Sequence, residues 1–191
     1  RTKVVGQVTR LKKWLDDGVL QQAGTGLSPQ QLFASGKCAT YISSTADHGA
    51  MERNATIPWS ATFLPHEADV PTARNSTIGG ASIWVLKGHK PEEYAGVAAF
   101  FSHLASTKTQ VWWHKVTGYV PLTNAAYKAA KDEGYYTQFP TREIAVLQLS
   151  RGTPTQNSMG FRFGNFTQTT FALRQEMEAV MTGKKKPQEA L

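Results

Sequence analysis

Residues 74–86 read RNSTIGGASIWVL, and this stretch decides how the chain is folded. A polar run, Arg74–Thr77, meets a glycine pair, Gly79–Gly80. Ala81–Leu86 then has the short apolar character of a buried strand. Glycine admits φ > 0 and lets another backbone or a ligand come close. The pair is therefore either a bend into the strand or a place where backbone meets ligand.

Working outward, two more stretches read as strands: Lys37–Ser44 (KCATYISS), and Ile57–Leu64 (IPWSATFL), which Pro65 ends. The rest reads mainly as helix. Val4, Val8, Leu11 and Leu15 share one face of residues 2–18, with Gly18 to close the end. Ser28-Pro29-Gln30-Gln31 is a capping box with proline at the first helical position, and Gly36 stops that helix. Gly88–Glu93 opens another helix, with two glutamates at the positive end of its macrodipole. Tyr94, Val97, Ala98, Phe101 and Leu104 are its expected buried face. Val111–His114 continues helically. Thr123 is expected to cap residues 124–133, and Thr141 to cap 142–151. The last long helix, 167–182, is expected to bury Leu173, Met177, Val180 and Met181. Another helix begins near Pro187. Residues 152–166 show no period, and Gly24-Thr25-Gly26 reads as a turn. No strict βαβ beat and no internal repeat are present.

Composition narrows the function. The 191 residues carry a net charge of +7, with 40% hydrophobic and 18% charged residues, ordinary for a globular chain. The excess charge is dispersed apart from Lys184–Lys186, and no basic stripe interleaves with aromatics, which argues against nucleic acid. One cysteine, Cys38, excludes an internal disulfide and a cysteine zinc site. It reads as a buried, inert thiol. No apolar run is long enough to span a membrane.

Catalytic constellations are missing. The histidines at 48, 66, 89, 103 and 114 have no metal-ligand spacing. No nucleophile elbow, Walker loop or dinucleotide fingerprint occurs. Asp16-Asp17 and Glu92-Glu93 are adjacent pairs, whose side chains diverge by about 100° on a helix. Asn54, Asn75 and Asn165 begin Asn-x-Ser/Thr sequons that matter only in a eukaryotic secretory route. What remains is a scatter of hydroxyls, glycines and aromatics at element ends: Ser43-Ser44-Thr45, Gly79-Gly80, Gly118-Tyr119 and Asn165–Thr170. Taken singly, each reads as a cap or turn. As a set they suit a polar small molecule, because hydroxyls and free N–H groups donate, helix N-termini favour anions, and an aromatic supplies a flat wall.

Three segments carry a family resemblance: Phe33-x-x-Gly36-Lys37-Cys38 followed by Ser43-Ser44; Asn75–Val85; and Trp113-His114-x-x-Thr117-Gly118-Tyr119-Val120-Pro121. With Thr182-Gly183-Lys184-x-x-Pro187-x-x-Ala190-Leu191 at the end, the chain resembles the periplasmic solute-binding proteins of ABC transporters, in the subgroup that takes glycerol phosphates. The resemblance spans essentially all 191 residues and the latter half of the longer family protein.

It implies an α/β fold of two lobes (type II) that close like a hinge, of which this chain would cover most of the second lobe and the returning segment of the first. Residues 1–78 would belong to the second lobe, 79–118 to a crossing strand and first-lobe helices, and 119–191 to the return crossing and the C-terminal second-lobe helices. The resemblance places ligand contacts at Ser44 (hydroxyl), Gly80 (backbone), Tyr119 (phenol or ring) and Thr170. The family carries arginine at the last position, and only arginine forks onto a phosphate. Arg74 and Arg162 are the candidates to compensate. The implied solute is sn-glycerol 3-phosphate, a glycerophosphodiester such as glycerophosphocholine, or a sugar. The implied partner is an ABC permease, with no cofactor, no nucleic acid, a monomeric state, and a periplasmic or lipid-anchored location. The competing readings are a phosphoester-acting enzyme and a basic nucleic-acid-binding domain.

Overall fold

The computed structural model describes residues 2–22, 28–70, 73–161 and 163–191; the turn expected at Gly24–Gly26 and the candidate Arg162 lie outside them. Regular structure among the described residues is helical. In order come α1 (Thr2–Asp16), α2 (Pro29–Ala34), α3 (His48–Asn54), α4 (Pro91–Ala105), α5 (Thr107–Thr117), α6 (Asn124–Asp132), α7 (Tyr135–Gln138), α8 (Pro140–Leu149), α9 (Phe166–Met181) and α10 (Pro187–Ala190). Single 3-10 turns lie at Thr45–Asp47 and Gln156–Ser158.

The chain divides into two compact units, residues 1–32 with 161–191, and residues 33–160. In the first unit α1, α9 and α10 pack together, α1 burying Val8 and α9 burying Val180. Leu173, expected in that core, is exposed, and Met177 and Met181 are half-buried, because burial on α9 collects toward its C-terminal end. The Ser28–Gln31 capping box forms: Ser28 N–H donates to Gln31 Oε1 at 2.8 Å, and Gln31 N–H to Ser28 Oγ at 3.2 Å.

The second unit is centred on Val111, Ala126, Ala130, Tyr135 and Tyr136. Ser106 Oγ accepts from Thr109 N–H to start α5, and Thr123 Oγ1 accepts from Ala126 N–H to start α6. Ala126 and Ala130 lie four apart on one face of α6, so the helix closes tightly on α5. Helix α8 begins at Pro140 rather than after Thr141. Proline presets the first helical φ, and the Thr141 hydroxyl is instead engaged by His48 Nε2 at 2.9 Å.

The strand expectations are corrected. Lys37–Ser44, Ile57–Leu64 and Ala81–Leu86 form no strand among the described residues, so the α/β architecture is not seen there. A strand exists only through its ladder to a neighbour, and local β preference cannot supply that neighbour. One segment keeps the strand rhythm. Ala55, Ile57, Trp59, Ala61 and Phe63 are half-buried, while Thr56, Pro58, Ser60, Thr62 and Leu64 are exposed. This two-residue alternation marks an extended chain with one face on the protein. Its ends are pinned by Thr56 N–H to the Ala34 carbonyl at 2.8 Å and Leu64 N–H to Gln148 Oε1 at 3.0 Å.

The buried face expected on α4 is corrected too. The helix starts at Pro91 as expected, with Lys90 N–H capped by Glu93 Oε2 at 2.9 Å, and Tyr94, Val97, Phe101 and Leu104 do share a side. They are only half-buried, however, and Ala98 is exposed. No described residue seals that side. Cys38, expected buried, is half-buried.

Candidate functional site

Ser44, Gly80 and Tyr119 belong to the unit of residues 33–160, and Thr170 to the other. Ser44 precedes the Thr45–Asp47 turn, and its Oγ accepts from Ala46 N–H at 3.2 Å, leaving the hydroxyl proton to donate. Asp47 organises the loop before the turn: its Oδ2 accepts from the Tyr41 hydroxyl at 2.8 Å and from the Ser43 hydroxyl.

Helix α5 ends at Gly118, whose φ of +80° is left-handed, with its N–H on the His114 carbonyl at 2.9 Å. This backbone comes so close to the preceding loop that a methyl group on Gly118 would stand 2.8 Å from the Thr45 carbonyl oxygen. The chain then turns into Tyr119, and a methyl group on Gly80 would stand 3.5 Å from Cε1 of the Tyr119 ring. Gly80 itself has φ +116°. The glycine that the sequence left as either bend or contact thus has a conformation that L side chains avoid and an aromatic ring for a neighbour. Two close approaches join three stretches distant in sequence: Ser44–Thr45, Gly118–Tyr119 and Gly79–Gly80.

Thr170 is spoken for locally. Its hydroxyl donates to the Phe166 carbonyl one turn back at 2.8 Å, so only oxygen lone pairs remain. Arg74 is exposed.

Four residues that sequence reasoning did not assign hold this region. His114 is 1% exposed. Its Nδ1 lies 2.6 Å from the Tyr119 carbonyl and its Nε2 3.0 Å from the Tyr136 hydroxyl. The buried Arg142 sends Nη2 to Glu52 Oε2 at 2.6 Å and Nη1 to the Lys115 carbonyl at 3.4 Å. Glu52 Oε1 lies 3.3 Å from His48 Nδ1, and the His48 ring meets Trp59 edge-on. These groups tie α3, α5 and α8 around the Thr45–Gly118 approach. A histidine or arginine within a helix carries no periodic signal of such a role, because its partners come from other helices.

Burial, the main cause for both rings, pushes the His48 and His114 pKa values below the ordinary 6.5, aided by the positive charge of Arg142. The fold holds both imidazoles neutral, whereas the unfolded chain takes up their protons from about pH 6.5 downward. Their stabilisation is complete above that value and is lost as pH falls toward the depressed folded values. Glu143, held low chiefly by the Tyr127 hydroxyl, adds a further loss only in the carboxylate range below 4.5. The thermal midpoint is therefore expected to fall between about pH 7.5 and about pH 5. Differential scanning calorimetry checks this, and a flat or rising midpoint would refute it.

Elsewhere in this unit, a concavity of about 350 Å³ lies between residues 83–86 and α4, lined by Ile83, Trp84, Leu86, Val97, Phe100 and Phe101. The Tyr94 hydroxyl bridges it, accepting from His89 N–H and donating to the Leu86 carbonyl. Trp84 is 85% exposed. This lining suits an apolar protein surface better than a polar solute. Among the described residues no group of three potential metal ligands occurs, and no helix is long and apolar enough to cross a membrane.

Comparison with known proteins gives a consistent picture. A family model described as bacterial extracellular solute-binding protein matches residues 3–140. The sn-glycerol-3-phosphate-binding periplasmic protein of Salmonella typhimurium is 35% identical over 188 residues, 98% of this chain and 43% of its own length. The protein of the same description from Yersinia pseudotuberculosis is 38% identical over 160 residues, 83% of this chain and 36% of its own length. That from Escherichia coli O1:K1 is 34% identical, with 98% and 43% covered. The chain thus spans less than half the length of these relatives.

Proposed function

The chain belongs to the bacterial extracellular solute-binding proteins, and from that premise we propose that it works as a solute receptor of an ABC importer, not as an enzyme. It captures sn-glycerol 3-phosphate or a glycerophosphodiester such as glycerophosphocholine in a cleft and hands it, chemically unchanged, to a membrane permease outside the cytoplasm. The observation that carries this reading is the junction of Gly80 against the Tyr119 ring with Gly118 against Thr45, the residue that follows Ser44. It combines a hydroxyl donor, an accessible glycine backbone and an aromatic wall, the elements that orient a small polar ligand.

The fold belongs to the same reading. Residues 1–78 and 119–191 make most of one lobe of a type II α/β architecture, and 79–118 crosses to the other lobe. The two-residue alternation of 55–64 supports a strand whose ladder partner lies elsewhere in a longer protein. The exposed apolar side formed by Trp84, Leu86 and Phe100 supports packing of this segment on the other lobe.

Thr170 bears on the choice of solute. Without a guanidinium there, a phosphomonoester loses a bidentate partner, which favours a diester or, as the second reading, a sugar. Thr170→Arg is expected to shift preference toward the monoester by about tenfold. Competition binding of glycerol 3-phosphate against glycerophosphocholine measures this, and unchanged selectivity removes position 170 from the pocket. The decisive test of the function is calorimetry of the full-length protein with glycerol 3-phosphate, glycerophosphocholine and maltose. Saturable heat with one of the first two supports the reading, heat with maltose alone favours the sugar, and no heat with any overturns both.

A further inference from the structure

We propose that His114 is the positioning residue for Tyr119, setting the backbone from which the ring faces Gly80; this rests on the reading that Tyr119 borders the solute. A carbonyl oxygen only accepts, so the 2.6 Å contact to the Tyr119 carbonyl requires the proton on His114 Nδ1. Nε2 of the neutral ring then accepts from the Tyr136 hydroxyl at 3.0 Å, which fixes the tautomer from the far side. The ring packs edge-on to Tyr135, 5.4 Å between centroids, and is 1% exposed, so it has no room to reorient.

The same residue holds the turn a second time through its backbone, since the Gly118 N–H ends on the His114 carbonyl. The Tyr119 N–H is taken by Thr117 Oγ1 at 3.2 Å. Both backbone polar groups of Tyr119 are thus committed, while its side chain stays 40% exposed and available. The contacts that order the turn all lie within the protein, so its conformational entropy is not a cost of solute binding.

The test uses two isosteres in the full-length protein. The amide nitrogen of asparagine falls near Nδ1 of histidine and can still donate to the Tyr119 carbonyl; that of glutamine falls near Nε2 and cannot. His114→Asn is expected to bind glycerol 3-phosphate or glycerophosphocholine within about threefold of wild type, and His114→Gln about tenfold more weakly. Both variants lose comparable thermal stability, since both remove a buried ring. A purely structural role would lower the two affinities equally or leave both unchanged, and either result overturns the proposal.

Nitrogen-15 NMR of the wild-type histidine provides a readout free of folding defects. A neutral ring protonated on Nδ1 is expected, and the opposite tautomer or an imidazolium at neutral pH overturns the assignment. If the wild type binds neither solute, the functional reading fails and the tautomer alone decides the role of His114.

Discussion

Tyr119→Ala in the full-length protein is expected to weaken solute binding by about tenfold to a hundredfold, or roughly 1.4–2.8 kcal/mol, while shifting the unfolding midpoint little. The ring is 40% exposed and its hydroxyl is not part of the buried network around His114, so the fold depends on it weakly. The backbone of Tyr119, by contrast, is anchored, and the substitution leaves that backbone in place. What disappears is the flat wall opposite Gly80. Gly80→Val is expected to act in the same direction by another route. Valine is strained at φ +116°, and its branches would press toward a ring already 3.5 Å from the first side-chain carbon. Titration calorimetry together with denaturant unfolding separates affinity from stability. Normal affinity in both variants would exclude this junction from the binding site.

Among the described glycines, Gly118→Ala should be the most damaging single methyl. Two penalties coincide there. An L residue at φ +80° costs about 1–2 kcal/mol, and the new carbon would sit 2.8 Å from the Thr45 carbonyl, a backbone atom that cannot swing aside. Overpacking of that kind adds about 1–3 kcal/mol. The expected loss is roughly 3 kcal/mol by denaturant unfolding, with solute affinity falling as well, because Thr45 and Tyr119 are forced apart. Two other glycines calibrate the result. Gly134 shares the left-handed φ, +74°, but a methyl there meets nothing within 4 Å, so alanine should cost about 1 kcal/mol. At Gly79 no neighbour stands within 4 Å and φ is not left-handed, so alanine should be nearly neutral. Equal losses at Gly118 and Gly134 would show that the Thr45 approach is not tight.

Local physics made much of the helical framework legible in the sequence. Ser28 with Gln31 and Thr123 on the Ala126 N–H are caps between residues three apart, and they form as the residue types suggest. Gly18, Gly118 and Gly134 turn left-handed at helix ends, where glycine is the residue that can do so. Thr141 is the instructive failure. It has the character of a cap, but Pro140 starts the helix one residue earlier and His48 takes its hydroxyl. No local rule foresees a partner from another helix. The three expected strands fail for a related reason, because β propensity describes one chain whereas a ladder needs two. Helix α3, the network of His48, Glu52 and Arg142, and the buried His114 went unread because short polar helices and lone polar or charged residues have no distinguishing period.

The sequence alone determined where most of the longer helices start and stop, which glycines can turn at their ends, and which hydroxyls and aromatics stand at element ends, since each depends on neighbours a few residues away. Only the tertiary structure decided that Gly118 rests on Thr45, that Gly80 faces the Tyr119 ring, and that a buried neutral histidine holds the tyrosine backbone. Those are contacts between distant parts of the chain, and chain packing, not local preference, sets their distances.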